Sequence, residues 1–272
     1  MILKLKYRVL LLFCCLISSL NSSEFSHELN RYSGKKLKTY FICGERCSGT
    51  NFINSLINSN FPGLTPTLEY GHKHFLRWFE ISPGAESVRS MNYGPKQIYL
   101  EDSDDCLFVF VVRDVYDWLR SFYLMPHYVH NNLKDASFIR KTWKLQTIID
   151  IGTIDNFNPF KGKPFKNVMD LRAHKSRNYM FISNLVENYL LVRYEEVAKN
   201  PEGFLDFLSK FFSVDKSRIF NAVTNYKGAG RPYVRKKYFP FSQQELNFVN
   251  QNVDWEIEAQ VGYFPRDPEI LL

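Results

Sequence analysis

Cysteine is scarce and falls into no usable pattern. Of the five, Cys14 and Cys15 lie in the apolar head of the chain, which leaves Cys43, Cys47 and Cys106. There is no CxxC pair and no Cys/His cluster at zinc spacing, so neither a disulfide-stapled scaffold nor a metal module is expected. Internal repeats, low-complexity tracts and a convincing domain boundary are also missing. No apolar run reaches the ~20 residues of a spanning helix, and the loop pattern G-x-x-x-x-G-K-[ST] of ordinary ATP and GTP hydrolases is absent. Charge of one sign does not dominate. Lys plus Arg number 35 against 28 Asp plus Glu, a net charge of +7. That moderate excess suits an anionic ligand such as a nucleotide, a sulfated sugar or nucleic acid, and identifies none of them. What the chain does have is an ordinary globular composition, 45% hydrophobic and 23% charged, with 16% aromatic residues to fill a core. Wholesale disorder, a collagen-like fibre and a multi-span membrane protein are excluded on that basis.

The 272 residues open on Lys4, Lys6 and Arg8, followed by an almost wholly apolar run from Val9 to Leu20. A basic stretch ahead of ~7–15 apolar residues fits a signal peptide. Ser and Asn follow the run where Ala-x-Ala would favour cleavage, so a short signal-anchor stays open, and the plain structural alternative is a buried first helix. Asn21-Ser22-Ser23 is a glycosylation sequon beside that segment. Residues 1–30 are therefore expected to be a signal peptide or short signal-anchor outside the fold, and 31–272 a single domain. The expected address is the secretory pathway: the Golgi lumen by signal-anchor, or outside the cell after cleavage.

Beyond the leader, KTYFIC from Lys38 is a short β-prone run, GERCSGT is a glycine-bracketed loop, and NFINSLINSN has helical spacing at Phe52 and Leu56. Residues 61–95, rich in Gly, Pro and His, predict an irregular or active-site connection. CLFVFVVRD (106–114) is nearly continuous and apolar, as suits a strand buried on both faces of a parallel sheet. Val115 to Leu124 predicts a helix closed by Pro126. Residues 135–150 and 167–187 have helical periodicity on either side of a turn-rich insertion. Tyr189 to Tyr194 predicts a third strong strand. Pro201 opens a helix through Phe212, with proline at its favoured first turn, and Ser242 with Glu245 makes a capping-box pattern for a helix to Asn252. The alternation of strand and helix argues an α/β fold with a parallel central sheet.

Strand, glycine loop and helix together make a phosphate-binding arrangement. Backbone N–H groups over Gly44, Glu45, Arg46, Cys47, Ser48, Gly49 and Thr50 converge on an anion, the helix dipole assists, and Ser48 and Thr50 add hydroxyl donors. A bland strand-to-helix turn is the structural alternative. Arg113 ends the buried strand and Ser121 lies eight residues on, in the next helix. Ligands of parallel α/β folds bind beyond the carboxyl ends of the strands, where such an Arg and hydroxyl can hold a second phosphate. The competing expectation for Arg113 is a capping ion pair with Asp114 or Asp117.

These features resemble the sulfotransferases that use 3′-phosphoadenosine-5′-phosphosulfate, over roughly residues 38–263. In that family a strand–loop–helix reading [KR]-[ST]-G-[ST] binds the 5′-phosphosulfate, and CSGTNF at 47–52, including Asn51, is its counterpart here. An Arg with a Ser eight residues later reads the 3′-phosphate, as Arg113 and Ser121 are spaced. LVRYEEVAKNPEGFLDFLSKFF (191–212), with Tyr194 at its turn, looks like the family's strand–helix signature, and Phe52 stands where an aromatic stacks on adenine. The family's basic loop residue normally precedes the Ser directly; here that place is Cys47, and the cation Arg46 is one earlier, as in sequences of the GERxSGTN kind. The resemblance implies a P-loop-like three-layer fold with a mostly parallel sheet, the sulfate-donor nucleotide as co-substrate and no metal. The implied partner is a hydroxyl acceptor, a glycan or peptide in view of the lumenal address, with no nucleic acid and membrane contact only through the leader.

Sulfuryl transfer resembles phosphoryl transfer, an in-line displacement driven by positioning and charge stabilisation. It needs a base for the acceptor's proton. Tyr70-Gly71-His72-Lys73-His74-Phe75 lies where this family carries a catalytic His or Glu: His74 is the first choice, His72 and Glu69 follow, and Lys73 is a candidate to steady the sulfuryl oxygens. A solvated basic loop is the plainer alternative for this segment. An imidazole at its ordinary pKa of ~6.5 is largely neutral at neutral pH and predicts an acidic limb in the rate near that value. The family's basic closing loop over the 3′-phosphate matches Arg235 and Lys236 loosely, near Lys227-Gly228, and His127 and His130 lie beyond the Ser121 helix. Two other functions compete: a P-loop kinase, against which the missing loop lysine counts, and a non-catalytic binder of acidic glycans.

Overall fold

The computed structural model describes residues 24–74, 90–93, 96–100, 103–125, 135–143, 165–225, 232 and 237–266. The leader, Pro126, His127, His130, the insertion before Phe165, Lys227-Gly228, Arg235 and Lys236 lie outside them. In chain order the elements are β1 (Thr39–Gly44), α1 (Thr50–Asn60), β2 (Thr65–Pro66), β3 (Ser90–Tyr93), β4 (Lys96–Tyr99), β5 (Cys106–Val112), α2 (Val115–Leu124), α3 (Phe138–Trp143), α4 (Val168–Phe181), β6 (Tyr189–Arg193), α5 (Tyr194–Lys199), α6 (Pro201–Phe212), α7 (Gln243–Asn252) and α8 (Trp255–Gln260). The fold is α/β. Strands β2, β1, β5 and β6, in that order, form a sheet in which every pairing is parallel.

All seven residues of β5 are buried, which is why its sequence has no polar alternation: both its faces meet helices. Leu107, Val109 and Val111 share a cluster with Tyr40 and Ile42 of β1, Leu190 and Val192 of β6, and the apolar sides of α1 and α6. Phe108, Phe110 and Val112 point the other way, to Phe41, Cys43 and Leu191 and to Tyr179, Met180 and Ile257 of α4 and α8. The period of two along each strand distributes the core evenly between the two faces. A third cluster joins α2, α3, α4 and α7 through Trp118, Phe122, Phe138, Met169 and Leu246.

Local signals set most helix ends. Asp114 accepts from the amides of Tyr116 and Asp117 to start α2. Asn200 caps α6, with Pro201 at its first turn. Both bonds of the Ser242–Glu245 capping box are present at α7. Two expectations are corrected. Residues 61–95 are not wholly irregular, since they hold β2 and the strand β3, which pairs antiparallel with β4. The folded part also begins before residue 31. Phe25 is buried against Phe204, with ring centroids 5.6 Å apart. Arg31 exchanges backbone bonds of 2.9 and 3.0 Å with Tyr189, and the Asn30 side chain accepts from the amide of Leu191. This segment covers the open edge of β6, where unpaired N–H and C=O groups would otherwise invite another strand.

Candidate functional site

The site is built where β1 and β5 end side by side. β1 runs out at Gly44, where a Cβ would sit 2.5 Å from the carbonyl oxygen of Val111 on β5, so only glycine lets the two strand ends lie this close. The chain then turns through Glu45, Arg46, Cys47 and Ser48 into α1. Cys47 has φ 66° and Gly49 φ 96°, left-handed conformations two residues apart that turn the chain sharply between strand and helix. A side chain on Gly49 would meet the ring of Tyr194 at 2.2 Å. Tyr194, the first residue after β6, therefore lies directly on the loop, with Phe52 of α1 edge-on to it at 5.9 Å.

The loop is held from within and from below. The Ser48 amide and hydroxyl both donate to the carbonyl of Glu45, at 3.2 and 2.7 Å. The buried Glu45 carboxylate accepts from the Arg46 amide at 2.6 Å and lies 3.2 Å from the ammonium of Lys175 on α4. The Trp118 indole N–H donates to the Arg46 carbonyl at 2.7 Å.

The segment carrying His74 lies against this loop. Gly44 donates its amide to the Lys73 carbonyl at 3.0 Å, and its own carbonyl is 2.7 Å from His74 Nδ1. A carbonyl only accepts, so His74 carries its proton on Nδ1 and Nε2 is the basic nitrogen. Lys73 Nζ donates to Asn51 Oδ1 at the start of α1. Burial pushes the His74 pKa down to about 3; the Gly44 bond opposes this, and the charges of Lys73, Arg46 and Lys175 add to it. The ordinary pKa near 6.5 expected for this imidazole is thus corrected: an imidazolium here would sit in a dry site among cations. His72 and Glu69 are exposed, with the His72 ring 5.3 Å from that of His74.

Arg113 follows β5 and is 9% exposed. Its Nη1 donates to the Cys47 carbonyl at 3.1 Å and its Nη2 to the Tyr238 hydroxyl at 2.9 Å, while its guanidinium lies 4.9 Å from the Tyr194 ring centre. The carboxylate it approaches is Glu195, at 3.8 Å. The expected alternative, a pair with Asp114 or Asp117, is replaced: Asp114 caps α2 and pairs with Arg266, and Asp117 pairs with Arg120. Burial raises the Glu195 pKa, against the hydroxyl of Tyr263 and the amide of Asp114, which bond its charged form. Ser121 is buried two turns along α2, and no direct hydrogen bond joins it to Arg113 among the described residues.

Gly44 to Phe52, Lys73, His74, Arg113 and Tyr194 thus converge on the carboxyl ends of β1 and β5, while Arg235 and Lys236 lie outside the described residues. Sequence reasoning missed Lys175, Trp118 and Tyr238 as parts of this site, and gave the Glu45 side chain no role. The available signal was weak: Arg172, Lys175, Ser176 and Tyr179 fall at i, i+3, i+4 and i+7 on α4, one buried stripe with two cations in it. A cavity lined by Ile139, Arg140, Trp143, Ser242 and Gln244 shares no residue with the loop. A scan against protein-family models returns no match to this chain, and no curated protein matches it.

Proposed function

We propose that this chain is a sulfotransferase that moves a sulfuryl group from 3′-phosphoadenosine-5′-phosphosulfate to a hydroxyl of a carbohydrate or peptide acceptor in the secretory pathway, on a three-layer P-loop-like fold. The observation that carries this function is Arg113. A buried guanidinium at the end of β5, bonded to the Cys47 carbonyl at 3.1 Å, supplies a fixed cation beside a loop that has no lysine after its second glycine. A loop that gathers amides for one phosphate, with a separate arginine for another, suits a nucleotide phosphorylated at both ends of its ribose.

On this reading the roles are divided as follows. Amides of Cys47, Gly49 and Thr50 and the Thr50 hydroxyl hold the 5′-phosphosulfate, with Asn51 beside them, over a turn that Ser48 closes onto the Glu45 carbonyl; Arg113, with Ser121 on α2, holds the 3′-phosphate; Phe52 and Tyr194 offer aromatic faces to the adenine. Lys73 and Arg46 bring positive charge to the sulfuryl oxygens and the leaving phosphate. The acceptor oxygen attacks sulfur, the bond from sulfur to the 5′-phosphate oxygen breaks, and 3′,5′-bisphosphate leaves with that electron pair. His74 Nε2 takes the acceptor's proton as the new bond forms. Because burial depresses its basicity, His74 contributes toward the lower end of the ~10²–10⁴-fold typical of a positioned base. The experiment is calorimetric titration with adenosine 3′,5′-bisphosphate and with AMP, followed by labelled-sulfate transfer to glycan and peptide acceptors. Binding of the bisphosphate at least ~10-fold tighter than AMP is expected; equal affinities overturn the assignment.

A further inference from the structure

We propose that Glu45 and Lys175 are a positioning pair for the anion-binding loop: Lys175 holds the Glu45 carboxylate beneath the loop, and Glu45 fixes the path of Arg46 and Ser48. This deepens the donor-site assignment and rests on it only for its binding measurement.

Lys175 is fully buried and Glu45 is 5% exposed. The ammonium lies 3.3 and 3.2 Å from the two carboxylate oxygens. Taking either charge out of water without the other is strongly unfavourable, whereas replacing both by neutral groups often costs little. The charge pair alone therefore does not explain the arrangement. The bonds made by Glu45 do. Its Oε1 accepts the Arg46 amide at 2.6 Å, and its carbonyl accepts the Ser48 amide and hydroxyl. Three contacts from one residue hold the turn in which Cys47 and Gly49 take left-handed conformations. Lys175 fixes where that residue can sit, because α4 is anchored in the core by Tyr179 and Met180. One turn earlier, Arg172 does the same for the other strand, donating to the Arg113 carbonyl at 2.7 Å. A single helix thus braces the chain just past both β1 and β5.

Removing the ammonium alone leaves a buried carboxylate without its cation, which draws the side chain away toward water and takes the acceptor from the Arg46 amide. Changing Glu45 to Gln at the same time removes the charge and keeps a carbonyl oxygen for that amide. Changing Glu45 to Ala removes the acceptor as well.

The test uses the full chain as parent, Lys175→Met, Glu45→Gln/Lys175→Met and Glu45→Ala/Lys175→Met. Amide hydrogen exchange is read at Arg46, affinity by titration with adenosine 3′,5′-bisphosphate, and thermal unfolding alongside. Lys175→Met should speed Arg46 exchange and weaken bisphosphate binding, each by about 10-fold or more. The Gln double variant should return both to within about 3-fold of the parent, and the Ala double variant should not. The two double variants are both neutral at the pair, so they carry the test if Lys175→Met fails to fold. Equal recovery in both, or unchanged Arg46 exchange in every variant, overturns the proposal. Exchange that follows this pattern in a protein binding bisphosphate no better than AMP would uphold the pair and reject the sulfotransferase assignment.

Discussion

Lowering the pH from 7 to 5 protonates a histidine in an unfolded chain and leaves His74 neutral in the folded one. The unfolded imidazole titrates at ~6.5, while burial holds the folded one at about 3. Between those values the unfolded state binds more protons, so stability falls as pH falls. The effect is nearly absent at pH 7 and grows until the pH nears the folded value. At pH 5 the gap below 6.5, at 1.36 kcal/mol per unit, amounts to about 2 kcal/mol. Urea unfolding of the parent and of His74→Gln at both pH values isolates this amount, because a glutamine amide can still donate to the Gly44 carbonyl but does not titrate. Other groups titrate alike in both proteins and cancel in the comparison. The parent should lose about 2 kcal/mol more than the variant on going to pH 5; equal losses would refute the buried, neutral imidazole. The rate of an active enzyme should correspondingly show no acidic limb from His74 near pH 6.5, and His74→Ala should lower turnover about 10²-fold with bisphosphate affinity nearly intact.

Arg113→Ala should weaken bisphosphate binding at least ~10-fold, the worth of a charge-assisted contact, with AMP binding nearly unchanged. A matched loss for both ligands would mean that Arg113 serves the loop through the Cys47 carbonyl instead. Gly49→Ala places a Cβ against the Tyr194 ring at a φ of 96° and should cost at least ~1–2 kcal/mol in thermal unfolding; an unchanged midpoint would contradict the packing. Ser242→Ala removes the cap of α7 and should cost about 1 kcal/mol without touching bisphosphate affinity. A tagged full-length chain should place residues 30–272 in the secretory lumen or outside the cell, and its recovery from the cytosol with an intact N-terminus would count against that route.

Much of the architecture is written locally in the chain. β5 is legible because seven successive apolar residues leave no polar face to turn outward, and α2 because its run of helical spacing ends at Leu124, just ahead of Pro126. α6 and α7 announce themselves by Pro201 and by the Ser242–Glu245 box. The strand–loop–helix from Thr39 to Asn60 is equally plain, since its glycines mark the turn and the residues around it mark strand and helix. β2 is not legible: two exposed residues, Thr65 and Pro66, become a strand only because β1 is there to pair with them. The site divides in the same way. Its loop and the spacing of Arg113 from Ser121 belong to the sequence, but the depressed basicity of His74 comes from its burial against Gly44, 30 residues away. The brace under the loop joins Glu45 to Lys175 across 130 residues. Caps, glycines and hydrophobic periods report on neighbours within a turn or two. Whether a charge is buried, and which opposite charge meets it there, depends on which surfaces pack together, and only the tertiary structure decides that.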